Sequence, residues 1–205
     1  GDWLLFLNAA DFFVNDTVLE TIAGLLDAEV PVLLDTPMVD FCVDDNGRVS
    51  GVETGDGRIF HARLGVVLAS GGFEHNEEMR KKYQREPIGT EWTVGAKANT
   101  GDGIRAGQKL GAAVELMDDA WWGPSIPLTG GPWFCIAERT LPGGIMVNAS
   151  GTRFLNEAAP YVEAVHAMYG GEFGVGDGPG ENIPTWMIID QRYRDRYIFA
   201  GLQPK

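Results

Sequence analysis

The residue types that chemistry can use gather in a few short strings. The apolar run from Leu64 to Ala69 passes directly into Ser70-Gly71-Gly72. Read as a strand covered on both faces, it leaves its glycines at the carboxyl edge of a sheet, where open α/β sheets bind ligands and bare backbone can come close to them. The plainer reading is a turn that ends a strand. Asn99-Thr100-Gly101-Asp102-Gly103 sets one carboxylate between two glycines ahead of an amphipathic segment. That carboxylate can cap the helix or accept hydrogen bonds from ligand hydroxyls. Trp121, Trp122, Trp133 and Phe134 can line a flat apolar slot or simply fill a core. Other chemistries lack their residues: the chain has no Gly-x-Gly-x-x-Gly, no Walker loop, no His-Glu-x-x-His and no Gly-x-Ser-x-Gly. Gly101, Gly103 and Gly107 are spaced wrongly for a dinucleotide fingerprint, and His61, His75 and His166 are too scattered to suggest a metal cluster.

The elements that must position these strings follow from periodicity and turn residues. Asn15-Asp16-Thr17 precedes apolar residues at Val18, Leu19, Ile22, Leu25 and Leu26, which predicts an amphipathic helix. A strand over 30–34 follows, then a meander over 38–43, 49–52 and 58–60 with turns at Asp45-Asn46-Gly47 and Asp56-Gly57. A helix is expected over about 76–84, ended by Pro87, and a strand over 113–117. From Trp121-Trp122-Gly123-Pro124 the texture turns to Trp, Pro and Gly, which places a domain boundary near 122. Beyond it, 145–148 and 153–155 are expected to form a hairpin, 186–189 a strand and 170–180 a loop.

Composition narrows the classes further. The chain has 205 residues, 44% hydrophobic, and a formal charge of −13, enough apolar material for a core and the wrong sign for phosphate backbones or anionic membranes. Nucleic acid is therefore not an expected partner, and no apolar run is long enough to span a bilayer. Cys42 and Cys135 show no paired spacing, which suits a reducing compartment and points to the cytoplasm. Without an initiator Met, and ending directly after an aromatic stretch, the chain is expected to be an internal piece of a longer protein.

Four longer strings carry a resemblance. They are Val66 to Phe73, Asn99 to Gly103, Met146 to Glu157, and Trp186 to Asp190 with Tyr193 and Tyr197. They come in the order seen in FAD-dependent fumarate reductase-like flavoproteins, and within that superfamily the chain resembles the 3-ketosteroid dehydrogenases. The resemblance runs from about residue 15 to the end, and its third string is the most specific. The family's amino-terminal dinucleotide unit and carboxy-terminal flavin-closing segment have no counterpart, so the chain looks like the middle of its parent.

The resemblance implies an α/β fold: an incomplete Rossmann-like FAD-binding domain over 1–122 and a smaller α+β catalytic cap over 123–205. It implies FAD held by main-chain atoms at Met38, by Ala69, Ser70, Gly71 and Gly72, and by Asn99, Thr100, Gly101 and Asp102. The isolated piece is expected to retain no FAD, because the pyrophosphate cradle is absent. In the family's fumarate reductases an arginine five residues beyond the Asn of the Arg-Phe-x-Asn-Glu string delivers a proton; here that position is Tyr161, amid Ala158-Ala159-Pro160 and Val162. A dianion needs cationic clamps, so an uncharged, bulky substrate fits better. The resemblance thus implies desaturation of a 3-ketosteroid A ring by hydride transfer to FAD, with Tyr161 as base and Trp133 and Phe134 against the substrate. A phenol of pKa about 10 needs a partner to work near neutrality, expected elsewhere in the parent. Arg153 and Glu157 are expected to pair structurally. The alternatives are a flavoprotein reducing another enoate or enone, and a non-catalytic fragment that binds no flavin by itself. The electron acceptor and the choice between a 1,2 and a 4,5 double bond are not legible in these strings.

Overall fold

The computed structural model describes residues 3–7, 31–171 and 178–204. In chain order the elements are β1 (Trp3–Leu7), β2 (Met38–Val43), β3 (Val49–Thr54), β4 (Ile59–His61), β5 (Gly65–Ala69), α1 (Glu77–Tyr83), α2 (Asp102–Lys109), β6 (Ser125–Leu128) and β7 (Gly131–Phe134). α3 (Ala137–Thr140), β8 (Gly144–Val147), α4 (Tyr161–Tyr169), β9 (Trp186–Ile189) and α5 (Gln191–Arg196) complete them. They fall into two compact units: Gly1–Asn76 with Gly95–Val114, and Glu77–Val94 with Glu115–Lys205. These spans differ from the two expected domains chiefly because Glu77–Val94 goes with the second unit. Ile88 packs into that unit's core beside Trp122, Val165 and Tyr169, and the Arg80 guanidinium lies 5.9 Å from the Trp122 ring centroid.

In the first unit, β1 and β5 pair in parallel, from Trp3↔Gly65 to Leu7↔Ala69. A parallel pair needs a long crossover between its strands, here the whole stretch that carries the meander. β2, β3 and β4 form the antiparallel meander in that order, with β3 central. The first turn closes where Asp44 Oδ1 accepts the N–H groups of Asn46 and Arg48, both at 2.9 Å. β3 supplies the core through fully buried Val52 and Thr54. The helix expected behind Asn15 lies outside the described residues.

Several local expectations are corrected. Residues 31–34 form no strand; Pro31 has no N–H to donate, and Asp35 turns the chain at φ 51. Residues 113–117 are unpaired, and Leu116 takes φ 55 with its side chain exposed. Among the described residues β5 pairs with β1 and Val67 is exposed, so the cover expected on both faces is not seen there.

In the second unit, β6 and β7 form a hairpin, and β8 pairs with β9 from Gly144↔Ile189 to Val147↔Trp186. The expected hairpin of 145–148 with 153–155 shrinks to one bridge, Val147↔Arg153. Asn148 explains this: its Oδ1 accepts the N–H groups of Ser150 and Thr152 at 3.1 and 3.0 Å, curling the chain into a tight loop after β8. Helix α4 is anchored from several sides. Val165 and Tyr169 enter the core, the Tyr169 hydroxyl donates to the Pro87 carbonyl at 2.9 Å, and His166 Nε2 meets Asp119 Oδ1 at 3.1 Å. Asp119 also accepts from Trp122 Nε1 at 2.6 Å. Trp122 is thus core, not slot, whereas Trp121 is 93% exposed.

Candidate functional site

Each unit holds some of the expected site residues. In the first, β5 ends at Ala69 and the chain turns through Ser70 into Gly71, whose φ of 72 only glycine adopts without strain. The Asn99–Asp102 string lies against this turn: Gly101 N–H donates to the Gly72 carbonyl at 3.0 Å and His75 N–H to the Asn99 carbonyl at 3.0 Å. Asn76 Nδ2 adds a bond to the Thr100 carbonyl at 2.8 Å. The two strings expected to face the cofactor are therefore one bonded block. Beside it is an open, largely apolar cleft of about 350 Å³ lined by Leu68 to Gly71, by Gly103, Ile104 and Gly107 of α2, and by residues 112–114. A Cβ at Gly103 would stand 2.3 Å from Ser70 Oγ, so glycine lets α2 close onto the strand end.

Asp102 does not cap α2. Gly101 is the N-cap residue, with no side-chain cap bond. The Asp102 carboxylate instead pairs with Arg105 at 2.6 Å and accepts the Thr100 hydroxyl at 2.9 Å. It sits at the first helical position, and the carboxylate reaches Arg105 one turn along more readily than its own backbone. Met38 opens β2 opposite Thr54.

In the second unit, Tyr161 is the first residue of α4, after Pro160. Proline at the N-cap has no N–H to lose and starts the helix sharply. The Tyr161 ring is 37% exposed, and the Phe134 ring meets it edge-on with centroids 5.8 Å apart. Other tyrosines are committed elsewhere: Tyr193 donates to the Glu138 carbonyl at 2.7 Å, and burial pushes its phenol up to about 12. Burial likewise raises Tyr169. Trp133 Nε1 donates to the buried Glu138 carboxylate at 2.7 Å, which holds the indole in place.

The expected Arg153–Glu157 pair is present, at 2.5 Å. Glu157 also accepts the Met146 N–H at 2.8 Å. Burial alone would raise its pKa, but the bonds from Arg153 and Met146 outweigh this and hold the carboxyl below its ordinary range. Arg139, buried, donates to the Glu157 carbonyl at 2.5 Å. The string that carries the resemblance thus braces β8 and Arg139 of α3 against the segment that leads into α4.

Sequence reasoning missed the part that Gly123 plays. A Cβ at Gly123 would stand 1.5 Å from Phe134 Cε2 and 2.2 Å from its Cζ. Gly123 is not among the positive-φ glycines, so it is glycine for space rather than conformation. Gly123→Ala is expected to displace the Phe134 ring and destabilise the fold by about 1–3 kcal/mol, with Phe134→Leu in the same protein recovering most of the loss. Denaturant unfolding of the four proteins in that cycle checks it.

The parallel strand pair, the glycine turn at its carboxyl end and the adjoining cleft are what open α/β sheets present to a ligand. The chain belongs to the FAD binding domain family, which matches residues 3–203. It is 64% identical over 189 residues to a 3-oxosteroid 1-dehydrogenase of Mycolicibacterium smegmatis, covering 88% of this chain and 33% of that protein. It matches the crystal structure of a 3-ketosteroid delta1-dehydrogenase from Sterolibacterium denitrificans, in complex with 1,4-androstadiene-3,17-dione, with a TM-score of 0.81 and 41% identity over 88% of this chain and 33% of that one. Similarity to Fumarate reductase 1 of Saccharomyces cerevisiae is 35% over 139 residues, 62% of this chain and 29% of that protein. The chain spans about a third of the length of the steroid dehydrogenases it matches. The resemblance to 3-ketosteroid dehydrogenases and the α/β class are thereby borne out.

The cleft beside the block is open, largely apolar and bordered by glycine, a character that suits the flat rings of a flavin nucleotide; Asp102 is not among its lining residues, and its carboxylate is bonded to Arg105 and Thr100.

Proposed function

We propose that the protein carrying this chain is an FAD-dependent 3-ketosteroid dehydrogenase that introduces the 1,2 double bond into the steroid A ring. The single observation that carries this reading is Tyr161. Tyr161 is an uncharged phenol, 37% exposed at the first turn of α4 and flanked by Phe134, at the position where the resemblance to fumarate reductases would call for an arginine. Its neighbours Ala158, Ala159, Pro160 and Val162 offer apolar surface and no cation to a dicarboxylate. The identity to 3-oxosteroid 1-dehydrogenases, higher than to the yeast fumarate reductase, supports the same reading.

In this reading Ala69 to Gly72 and Asn99 to Asp102 hold FAD, with Met38 main-chain atoms at its adenine end. Bound FAD supplies the hydride acceptor. Tyr161 takes the proton from the carbon adjacent to the one that loses hydride, so two hydrogens leave and one C=C bond forms. Trp133 and Phe134 cover the flat steroid rings, Trp133 fixed by Glu138. Among the described residues no helix is long and apolar enough to cross a membrane, and the unpaired thiols of Cys42 and Cys135 suit the cytoplasm.

The test is the anaerobic spectrum of the purified whole protein. Flavin absorption is expected, bleached on adding a saturated-A-ring or 4-ene 3-ketosteroid and unchanged on adding succinate. Product carrying a 1,2 double bond confirms the position; bleaching by succinate alone would sink the reading.

A further inference from the structure

We propose that Glu74 is a positioning residue for FAD, its carboxylate setting the orientation of the Asn99 amide and so the cleft wall at Gly71. The proposal rests on the reading that the Ala69–Gly72 and Asn99–Asp102 strings hold FAD. Asn99 Nδ2 donates to Glu74 Oε1 at 2.5 Å, across 25 residues of sequence. An ionised carboxylate only accepts, so the amide nitrogen must face it, and Asn99 Oδ1 is turned the other way. That oxygen stands 2.4 Å from where a Cβ on Gly71 would be. Gly71 lines the cleft, so the amide bears on that wall from behind. Asn99 is buried, which leaves little water to satisfy an amide turned the wrong way.

Glycines make room for the pair on its other sides. A Cβ at Gly95 would lie 2.0 Å from Glu74 Oε1, and one at Gly72 3.0 Å from Oε2. His75 Nε2 reaches the Gly95 carbonyl at 2.9 Å, fixing the backbone that borders the carboxylate. Gly72, Gly95 and Asn99, from two stretches of chain, are thus arranged around one carboxylate. The backbone bonds already join the two strings; what Glu74 adds is the direction of the amide between them.

The experiment removes FAD from the whole protein, titrates it back, and compares dissociation constants for wild type, Glu74→Ala, Glu74→Asp and Glu74→Gln. Glu74→Ala is expected to weaken FAD by about tenfold or more, the scale known for partners that orient metal-holding side chains. Glu74→Gln still presents a carbonyl oxygen to Asn99 and is expected to stay within about threefold of wild type. Glu74→Asp keeps the charge but retracts it by one methylene, and is expected to fall with alanine; it carries the test if the alanine variant does not fold. Wild-type affinity in Glu74→Ala or Glu74→Asp, or a glutamine variant as weak as alanine, overturns the role of Glu74 alone. A wild-type protein that takes up no FAD overturns the functional reading and this proposal together.

Discussion

Tyr161→Phe in the whole protein is expected to lower steroid turnover by about 10²- to 10⁴-fold, the usual contribution of a positioned base, with FAD content and thermal midpoint unchanged. The substitution removes one oxygen and keeps the ring. The edge contact with Phe134, centroids 5.8 Å apart, survives it, and a ring 37% exposed has little buried polar surface to lose. Tyr169 and Tyr193 differ in kind: their hydroxyls are spent on the Pro87 and Glu138 carbonyls, and burial raises both phenols. Because the lost group would act on the proton in flight, kcat should carry the effect and KM should move little. Undiminished turnover in Tyr161→Phe would remove the base assignment, and a drop explained wholly by lost FAD would make the tyrosine a binding residue instead.

The second large effect is on stability. Glu157→Ala is expected to cost about 3 kcal/mol at neutral pH, measured by denaturant unfolding. It leaves the buried Met146 N–H without its acceptor and removes the carboxylate that Arg153 pairs with. Glu157→Gln should cost less, since its carbonyl can still accept from Met146. The pH dependence has a definite sign. The folded-state carboxyl is held below its unfolded value of 4.5. The stability it contributes is therefore fully present above that value and drains as pH falls through the folded one. The gap between wild type and Glu157→Ala should narrow on acidification; a gap that widens would mean the carboxylate is not the stabilising form.

What could be read from sequence is what neighbouring residues settle among themselves. The Asp44–Gly47 turn is local chemistry, an aspartate accepting N–H groups two and four residues on. The end of β5 at Ser70-Gly71-Gly72 and the Arg153–Glu157 pair are equally short-range, and the resemblance rested on such strings. Errors arose where a local preference had to be filled from afar. An apolar run at 145–147 declares itself a strand, but nothing near it says that its partner is 186–189 rather than 153–155. Asp102 in front of a helix suggests a cap until Arg105 competes for the same oxygens.

The sequence alone determined the α/β class, the glycine-ended strand and the presence of a phenol at Tyr161, because turn preference, side-chain period and residue identity act over a few positions. Only the tertiary structure decided that Glu77–Val94 joins the second unit, that Gly123 exists to seat Phe134 and that Glu74 faces Asn99. Each depends on which distant surfaces exclude water together and which atoms then compete for the same space, and one-dimensional spacing does not record that.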